Sequence, residues 1–157
     1  MEQRLDYLTA TPNVVRAMLG LHKPLSQSGL EKGLLDLVYF RVSQINGCAY
    51  CLDMHSKDLR AHGETEQRLY MLDAWRESPL YTDRERAALA WTEAVTKLEK
   101  KNVPDDVYEE ALRQFSEEEL VDLTIAVIAI NSWNRINVAF HTPAGDYVPG
   151  QHAALLN

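Results

Sequence analysis

Helix-length segments with apolar residues at helical spacing dominate this chain and limit the folds it can adopt. Between Thr82 and Leu98 the apolar residues recur every three or four positions, as on one face of an α-helix. Thr82 with Glu85, and Ser116 with Glu119, match the capping-box pattern that starts a helix. No pattern typical of a β-hairpin is visible in the sequence. The sequence therefore predicts an all-α fold.

The same signals divide the chain into helical segments. Ser28 with Glu31 predicts a further capping box, the segment 45–47 breaks the helix that follows it, and a new helix starts near Cys48. The expected helices cover 12–21, 28 to the break at 45–47, 48–62, 64–75, 82–98, 104–114 and 116–140. HKPLSQSG before the second helix predicts a turn, and the Pro- and Gly-rich tail from Thr142 predicts a loop.

Length and spacing suggest how the helices are organised. A chain of 157 residues, 46% of them hydrophobic, fits a single domain spanning 1–157. The helices before and after the break at 45–47 are expected to form a central antiparallel hairpin.

The sequence also contains a weak internal repeat, in which five residues recur at a constant spacing later in the chain. The first copy consists of Glu31, Leu34, Asp36, Leu37 and His55, and the second of Glu117, Leu120, Asp122, Leu123 and His141. A true repeat predicts a second hairpin, with Asn134 and Asn137 in place of the two cysteines. Chance similarity of amphipathic helices is the alternative.

Charge and hydropathy narrow the classes of function. The formal net charge of −7 argues against nucleic-acid binding, which needs clusters of Lys and Arg. The longest apolar run, 123–130, is too short to span a bilayer. The N-terminal MEQRLDYLTATP lacks the apolar segment of a signal peptide, so we expect a cytoplasmic protein. In a reducing compartment two cysteines three positions apart favour catalysis or metal binding over a structural disulfide.

The segment SQINGCAYCLDMH, residues 43–55, contains the residues best suited to chemistry. Cys48 and Cys51 lie one helical turn apart, so both sulfurs lie on one face and can bridge. The first turn of a helix favours a thiolate through its free N–H groups and dipole. His55, one turn after Cys51, can exchange a proton near neutral pH. Asp36 of the preceding helix can orient that histidine if the two helices pack as a hairpin.

Two alternatives use the same residues without redox chemistry. The cysteines can be inert members of the core. They can also bind zinc, together with His55 and a distant ligand such as His141. The sequence lacks a second Cys-x-x-Cys or a His-x-x-x-His motif, so a closed four-ligand site is disfavoured and no metal or organic cofactor is expected.

At these residues the chain resembles the alkylhydroperoxidase D-like proteins of the carboxymuconolactone decarboxylase superfamily. SQINGCAYCLDMH, WRESPLYTDRERAALAWTEAVT and INSWNRINVAFHTPAG carry the resemblance, which covers about residues 12–145. It implies an all-helical homotrimer or homohexamer and a peroxidase cycle. Cys51 then attacks a small hydroperoxide, Cys48 resolves the sulfenate, and an unidentified thiol or protein reductant restores the dithiol. The histidine of the family falls on His55, and its upstream glutamate on Asp36.

The chain departs from the family at two positions. Asp36 is one methylene shorter than the glutamate, and Tyr50 stands where the best-known members carry a histidine. Tyr50 is interpreted as a packing or pocket residue. Asn131 and Trp133, in the cluster 131–135, are interpreted as packing or subunit contacts, with lining of the thiol pocket as the alternative.

Three other functions are compatible with these sequence features. One is a general disulfide oxidoreductase or redox sensor that uses the same cysteines. The second is a lactone decarboxylase-like enzyme, by analogy within the superfamily, and the third is a non-enzymatic helical interaction module with inert thiols. None of these functional hypotheses includes nucleic acid or a membrane as a partner.

Overall fold

The computed structural model describes residues 2–152, apart from the side chain of Lys100, and these residues form helices and turns without a strand. The predicted all-α fold is thereby confirmed for the described part of the chain. The α-helices are α1 (Tyr7–Ala10), α2 (Pro12–Leu19), α3 (His22–Ser26), α4 (Lys32–Asn46), α5 (Ala49–Ala61), α6 (Glu66–Met71), α7 (Asp83–Lys97), α8 (Asp105–Gln114) and α9 (Glu117–Phe140). Short 3-10 turns at Leu72–Ala74 and Glu99–Lys101 follow α6 and α7.

The main apolar core lies between α4, α7 and α9, which pack against one another. Val38 and Val42 of α4, Ala88 of α7, and Leu123 and Val127 of α9 are fully buried there. These residues follow the helical spacing from which the helices were predicted, because each helix turns one apolar face to the other two.

A second apolar cluster holds α5 and α6 against the other side of α4. Leu37 of α4, Leu59 of α5, Leu69 of α6 and Leu89 of α7 meet in it. Full burial of such a side chain contributes about 1.5–3 kcal/mol relative to exposure. The C-terminal part of α5 is thus fixed to the core, and its N-terminal turn, which carries the cysteines, is fixed with it.

Two of the three predicted capping boxes are present. Thr82 and Ser116 each cap their helix and exchange hydrogen bonds with a glutamate three residues later. The box predicted at Ser28 is wrong, because α4 begins at Lys32 and the Ser28 hydroxyl donates to the carbonyl of Leu25 at 2.7 Å. The hydroxyl is used in the turn that follows α3 and does not cap α4.

The turn predicted for HKPLSQSG is also only partly correct, since α3 occupies its first five residues. Pro24 is the third residue of α3. A proline is tolerated there because the N–H groups of the first helical turn have no intrahelical partner to lose.

The second hairpin that a true repeat would require does not form, because α9 runs unbroken through the positions that correspond to the break between α4 and α5. Gly47 ends α4 with φ of 64°, in the left-handed region that favours glycine. Trp133 occupies the corresponding place in α9, and a bulky side chain disfavours that backbone conformation. The helix therefore continues to Phe140.

The tail after α9 lies against α5. The backbone N–H of Gly145 donates to the carboxylate of Asp53 at 2.9 Å, and Lys57 Nζ donates to the carbonyl of Tyr147 at 3.0 Å. The Tyr147 hydroxyl donates to Asp58 at 3.0 Å. The predicted loop is thus held along the helix that carries the cysteines.

A buried ion pair joins α4 to α7. Arg41 Nε donates to Glu93 Oε1 at 2.8 Å, and the two side chains are only 7% and 6% exposed. Burial alone would raise the pKa of Glu93, but hydrogen bonds from Trp75, Arg76 and Arg41 hold it below its usual value. This network fixes the C-terminal half of α4 just before the turn to the cysteines.

Within residues 2–152 no helix combines the length and the apolar character needed to cross a membrane. Three expectations stay predictions: the oligomeric assembly, the single domain spanning 1–157 and the cytoplasmic location.

Candidate active site

The turn between α4 and α5 sets the positions of the two cysteines. After Gly47, Cys48 adopts an extended backbone and caps α5, and its Sγ accepts the backbone N–H of Cys51 at 3.3 Å. Cys51 is the third residue of α5. The two Cα atoms lie 5.3 Å apart and the sulfurs are at disulfide-bonding distance. The predicted closeness of the pair at a helix start is confirmed.

The two sulfurs differ in what they face. Both cysteines are 1% exposed. Cys51 lines a cavity of about 800 Å³, whereas Cys48 is not among its lining residues. A small molecule in the cavity can therefore contact Cys51, whereas Cys48 is not part of the cavity wall.

The cavity lies between the short N-terminal helices α1–α3, the central helices α4, α5 and α9, and the tail. Its apolar walls include Val15, Leu19, Leu25, Leu35, Met54 and Ile130. The volume is in the range of small-molecule sites, and a mostly apolar wall with few polar groups is their usual composition.

His55 lines the cavity one turn after Cys51 and is itself buried, with 9% of its surface exposed. Its ring lies 5.5 Å from the ring of Tyr39, and its Nε2 has no hydrogen-bond partner within residues 2–152. Burial, with smaller contributions from the charges of His22 and Lys32, lowers the pKa of His55 to about 3. The imidazole is therefore neutral at physiological pH.

Asp36 lines the same cavity but does not make the predicted contact with His55. Its carboxylate pairs with Lys32 Nζ at 2.5 Å and lies 3.4 Å from His62 Nδ1. The expected contact fails because the Asp36 side chain points along α4 toward Lys32, one turn earlier, and toward His62 at the end of α5. His55 lies nearer the start of α5.

A hydrogen bond to Cys51 comes instead from α9. Asn137 is 5% exposed, and its Nδ2 donates to Cys51 Sγ at 3.4 Å. The Tyr7 hydroxyl donates to Asn137 Oδ1 at 3.0 Å. The motif around the cysteines could not indicate either residue. The weak repeat places Asn137 at the position of Cys51, and Asn137 also lies in the segment INSWNRINVAFHTPAG that carries the family resemblance.

Tyr50 lies at the edge of the cavity, in keeping with its interpretation as a pocket residue. Its hydroxyl is 2.6 Å from His152 Nε2 in the tail. Burial first, then the charges of Asp53 and Asp58, raises the pKa of Tyr50 above its usual value. The phenol is therefore protonated at neutral pH and links α5 to the tail.

The cluster predicted at 131–135 divides into two parts. Asn131 accepts a hydrogen bond from Asn46 at 3.0 Å and donates to Thr96 at 3.0 Å, so it joins α9 to α4 and α7. Trp133 lines the cavity, with its ring 6.4 Å from that of Tyr7. Both interpretations of the cluster thus apply, each to a different residue.

No group of three or more His, Cys, Asp or Glu side chains within residues 2–152 is arranged to hold a metal ion. The zinc site considered as an alternative is therefore not assembled by its four candidate ligands, Cys48, Cys51, His55 and His141.

Comparison with known proteins places this arrangement in a family. Residues 12–94 match the model of the carboxymuconolactone decarboxylase family. The uncharacterized protein YdfG of Bacillus subtilis is 43% identical over 139 residues, which are 88% of this chain and 95% of YdfG. A protein of unknown function from Agrobacterium tumefaciens, ATU0492, has a crystal structure that superposes with a TM-score of 0.88 at 43% identity, covering 93% of this chain and all of that one.

A shorter match reaches a protein with a named activity. The alkyl hydroperoxide reductase AhpD of Hyphomonas neptunium is 42% identical over 45 residues, which are 29% of this chain and 25% of AhpD. These similarities confirm the alkylhydroperoxidase D-like resemblance inferred from the sequence.

Proposed function

The chain belongs to the carboxymuconolactone decarboxylase family, and on that premise we propose that it is a thiol-dependent peroxidase acting through a dithiol–disulfide cycle of Cys48 and Cys51. One observation carries the proposal: the cysteines lie at disulfide-bonding distance, and Cys51 forms part of the wall of a cavity of about 800 Å³. The site therefore supplies two electrons at a place that a small hydroperoxide can reach.

The cycle begins with the Cys51 thiolate. It attacks the distal oxygen of ROOH, so the O–O bond breaks, an S–O bond forms, and the alkoxide leaves as ROH after taking a proton. The Cys48 thiolate then attacks Sγ of the Cys51 sulfenic acid, forming the disulfide and releasing water. Two thiols and one hydroperoxide become one disulfide, one alcohol and one water. An external thiol reductant restores the dithiol.

In the proposed cycle, His55 moves the proton. It is neutral and its Nε2 is unpartnered within the described residues. Ionisation of Cys51 puts a negative charge one helical turn away, and a nearby negative charge raises the pKa of a histidine. The ring can then take up the thiol proton and return it to the leaving alkoxide.

Burial of the sulfurs favours peroxide over a protein disulfide as substrate. A disulfide on another protein must meet the attacking sulfur along an S–S axis, which requires an exposed cysteine. Both cysteines are 1% exposed, and the cavity is the access route to Cys51. The same limit favours a small thiol, or one presented on a narrow segment, as reductant.

The proposal is tested by following consumption of an organic hydroperoxide in the presence of dithiothreitol. We expect wild type to turn over and Cys51→Ser to be inactive, while Cys48→Ser forms a sulfenic acid but no intramolecular disulfide. Unchanged consumption by Cys51→Ser would refute the assignment. Reduction of insulin faster than of any hydroperoxide would favour the oxidoreductase reading. A lactone decarboxylase-like enzyme would keep its activity after both cysteines are alkylated.

A further inference from the structure

We propose that Asn137 stabilises the Cys51 thiolate by donating a hydrogen bond to its sulfur, and that Tyr7 fixes the Asn137 amide in the donating orientation. The inference makes both residues positioning residues for the nucleophile. It rests on the proposed function only in taking Cys51 as the reactive sulfur.

The contacts form a continuous chain from α1 to the sulfur. The Tyr7 hydroxyl donates to Asn137 Oδ1 at 3.0 Å, and Asn137 Nδ2 donates to Cys51 Sγ at 3.4 Å. Asn137 is 5% exposed and Cys51 1%, so water competes little for either bond. A hydrogen bond in such surroundings is electrostatically stronger than in water.

The orientation of the amide follows from the groups at its two ends. Burial raises the pKa of Tyr7 to about 12, so its hydroxyl keeps its proton at working pH and can donate to the amide oxygen. A thiolate has no proton and can only accept. The arrangement in which the oxygen faces Tyr7 and the NH₂ faces sulfur therefore satisfies both ends, whereas the flipped amide would present its oxygen to the negative sulfur.

The N-terminal segment is held so that Tyr7 reaches α9. The backbone N–H of Arg4 donates to the carbonyl of Phe140 at 3.0 Å, and its guanidinium donates to the carbonyl of Ala139 at 3.2 Å. Both carbonyls lie in the last turn of α9, where carbonyls lack intrahelical partners and a positive charge is favourable. Tyr7 follows three residues later, beside Asn137 in the same turn.

This chain of hydrogen bonds adds stabilisation of the Cys51 thiolate that the buried His55 does not supply. Burial disfavours the protonated His55 that forms when Cys51 gives up its proton, so the histidine alone stabilises the resulting thiolate poorly. Asn137 is a neutral donor whose bond strengthens when the sulfur becomes negative, because hydrogen bonds to charged acceptors are roughly twice as strong as neutral ones. Asn137 therefore favours the thiolate over both the thiol and the disulfide.

The test measures the pKa of Cys51 in the full-length reduced protein, from thiolate absorbance at 240 nm against pH. Cys48→Ser serves as the background, so that one thiol titrates, and serine retains an oxygen to cap α5. We expect Asn137→Leu to raise the Cys51 pKa by about one to two units, since a hydrogen bond to a charged group is lost. Tyr7→Phe should raise it less.

The matched control and the double variant separate this role from general packing. Tyr147→Phe removes another cavity-lining phenol, bonded to Asp58 and not to Asn137, and should leave the Cys51 pKa unchanged. Tyr7→Phe should add nothing once Asn137 is leucine, because its effect passes through the amide.

Three results would overturn the inference. The first is an unchanged Cys51 pKa in Asn137→Leu, and the second is a Tyr7→Phe shift of the same size with asparagine and with leucine at position 137. The third is a shift in Tyr147→Phe as large as that in Tyr7→Phe. If Asn137→Leu does not fold, Tyr7→Phe decides, and an unchanged pKa there overturns it. The titration involves no peroxide. Expected pKa shifts without peroxide reduction would therefore sustain the inference and refute the proposed function.

Discussion

Replacing His55 with leucine should make the protein less sensitive to acid. Burial lowers the pKa of His55 to about 3, whereas in the unfolded chain a histidine titrates near 6.5. Below about pH 6.5 the unfolded chain binds a proton that the folded chain does not, so the free energy of unfolding falls with pH. The contribution is present above the unfolded pKa and is lost progressively between about 6.5 and 3.

The size of the effect follows from these two pKa values. Between pH 7 and pH 5, His55 should account for about 2 kcal/mol of lost stability. Leucine has a similar volume and does not titrate, so His55→Leu should lack this component. With a urea m-value of about 2 kcal/mol/M, the unfolding midpoint of wild type should fall about 1 M further than that of the variant.

Urea unfolding at pH 7 and pH 5, with the cysteines kept in one redox state, provides the measurement. His62→Gln is the control: its side chain is 52% exposed and the substitution leaves His55 in place, so the acid sensitivity of wild type should persist. Equal loss of stability in wild type and His55→Leu would refute the reasoning. It would mean that the folded chain protonates His55 as readily as the unfolded chain does.

Three further predictions concern other parts of the structure and are tested by urea unfolding at pH 7. Glu93→Gln should cost about 3 kcal/mol, because the buried Arg41 then keeps, among the described residues, only the exposed carboxylate of Asp73 as a charge partner. Glu66→Gln in an exposed ion pair should cost less than about 1 kcal/mol, and equal losses would refute the role of burial. Ser116→Ala should cost about 1 kcal/mol through loss of the α9 cap, and an unchanged midpoint would contradict the capping box. Gly47→Ala should cost about 1 kcal/mol through strain alone, since its Cβ would meet nothing within 4 Å, and a loss near zero would contradict the left-handed turn.

Local signals in the sequence predicted the local features of the structure. The caps at Thr82 and Ser116, and the break at Gly47, depend on residues within one turn of each site, so spacing alone was enough. The same holds for Cys48 and Cys51, whose closeness follows from helix geometry.

Features that depend on how helices cross could not be obtained in this way. Asp36 was expected to meet His55 across a hairpin, but its carboxylate lies beside His62, about two turns further along α5. Asn137 contacts Cys51 from a position 86 residues later in the chain, and Tyr7 reaches Asn137 from a segment without any motif. The lowered pKa of His55 reflects burial beside Tyr39, which no spacing rule reveals.

The central claim is that Cys51 takes the oxygen of a hydroperoxide and that Cys48 completes the disulfide. Counting free thiols before and after one equivalent of an organic hydroperoxide, with no reductant present, tests it most directly. Wild type should lose both thiols for each hydroperoxide consumed, and Cys48→Ser should lose its single thiol to a sulfenic acid that dimedone traps, while Cys51→Ser keeps its thiol. Two free thiols remaining in wild type, or a thiol lost from Cys51→Ser as fast as from wild type, would contradict the account.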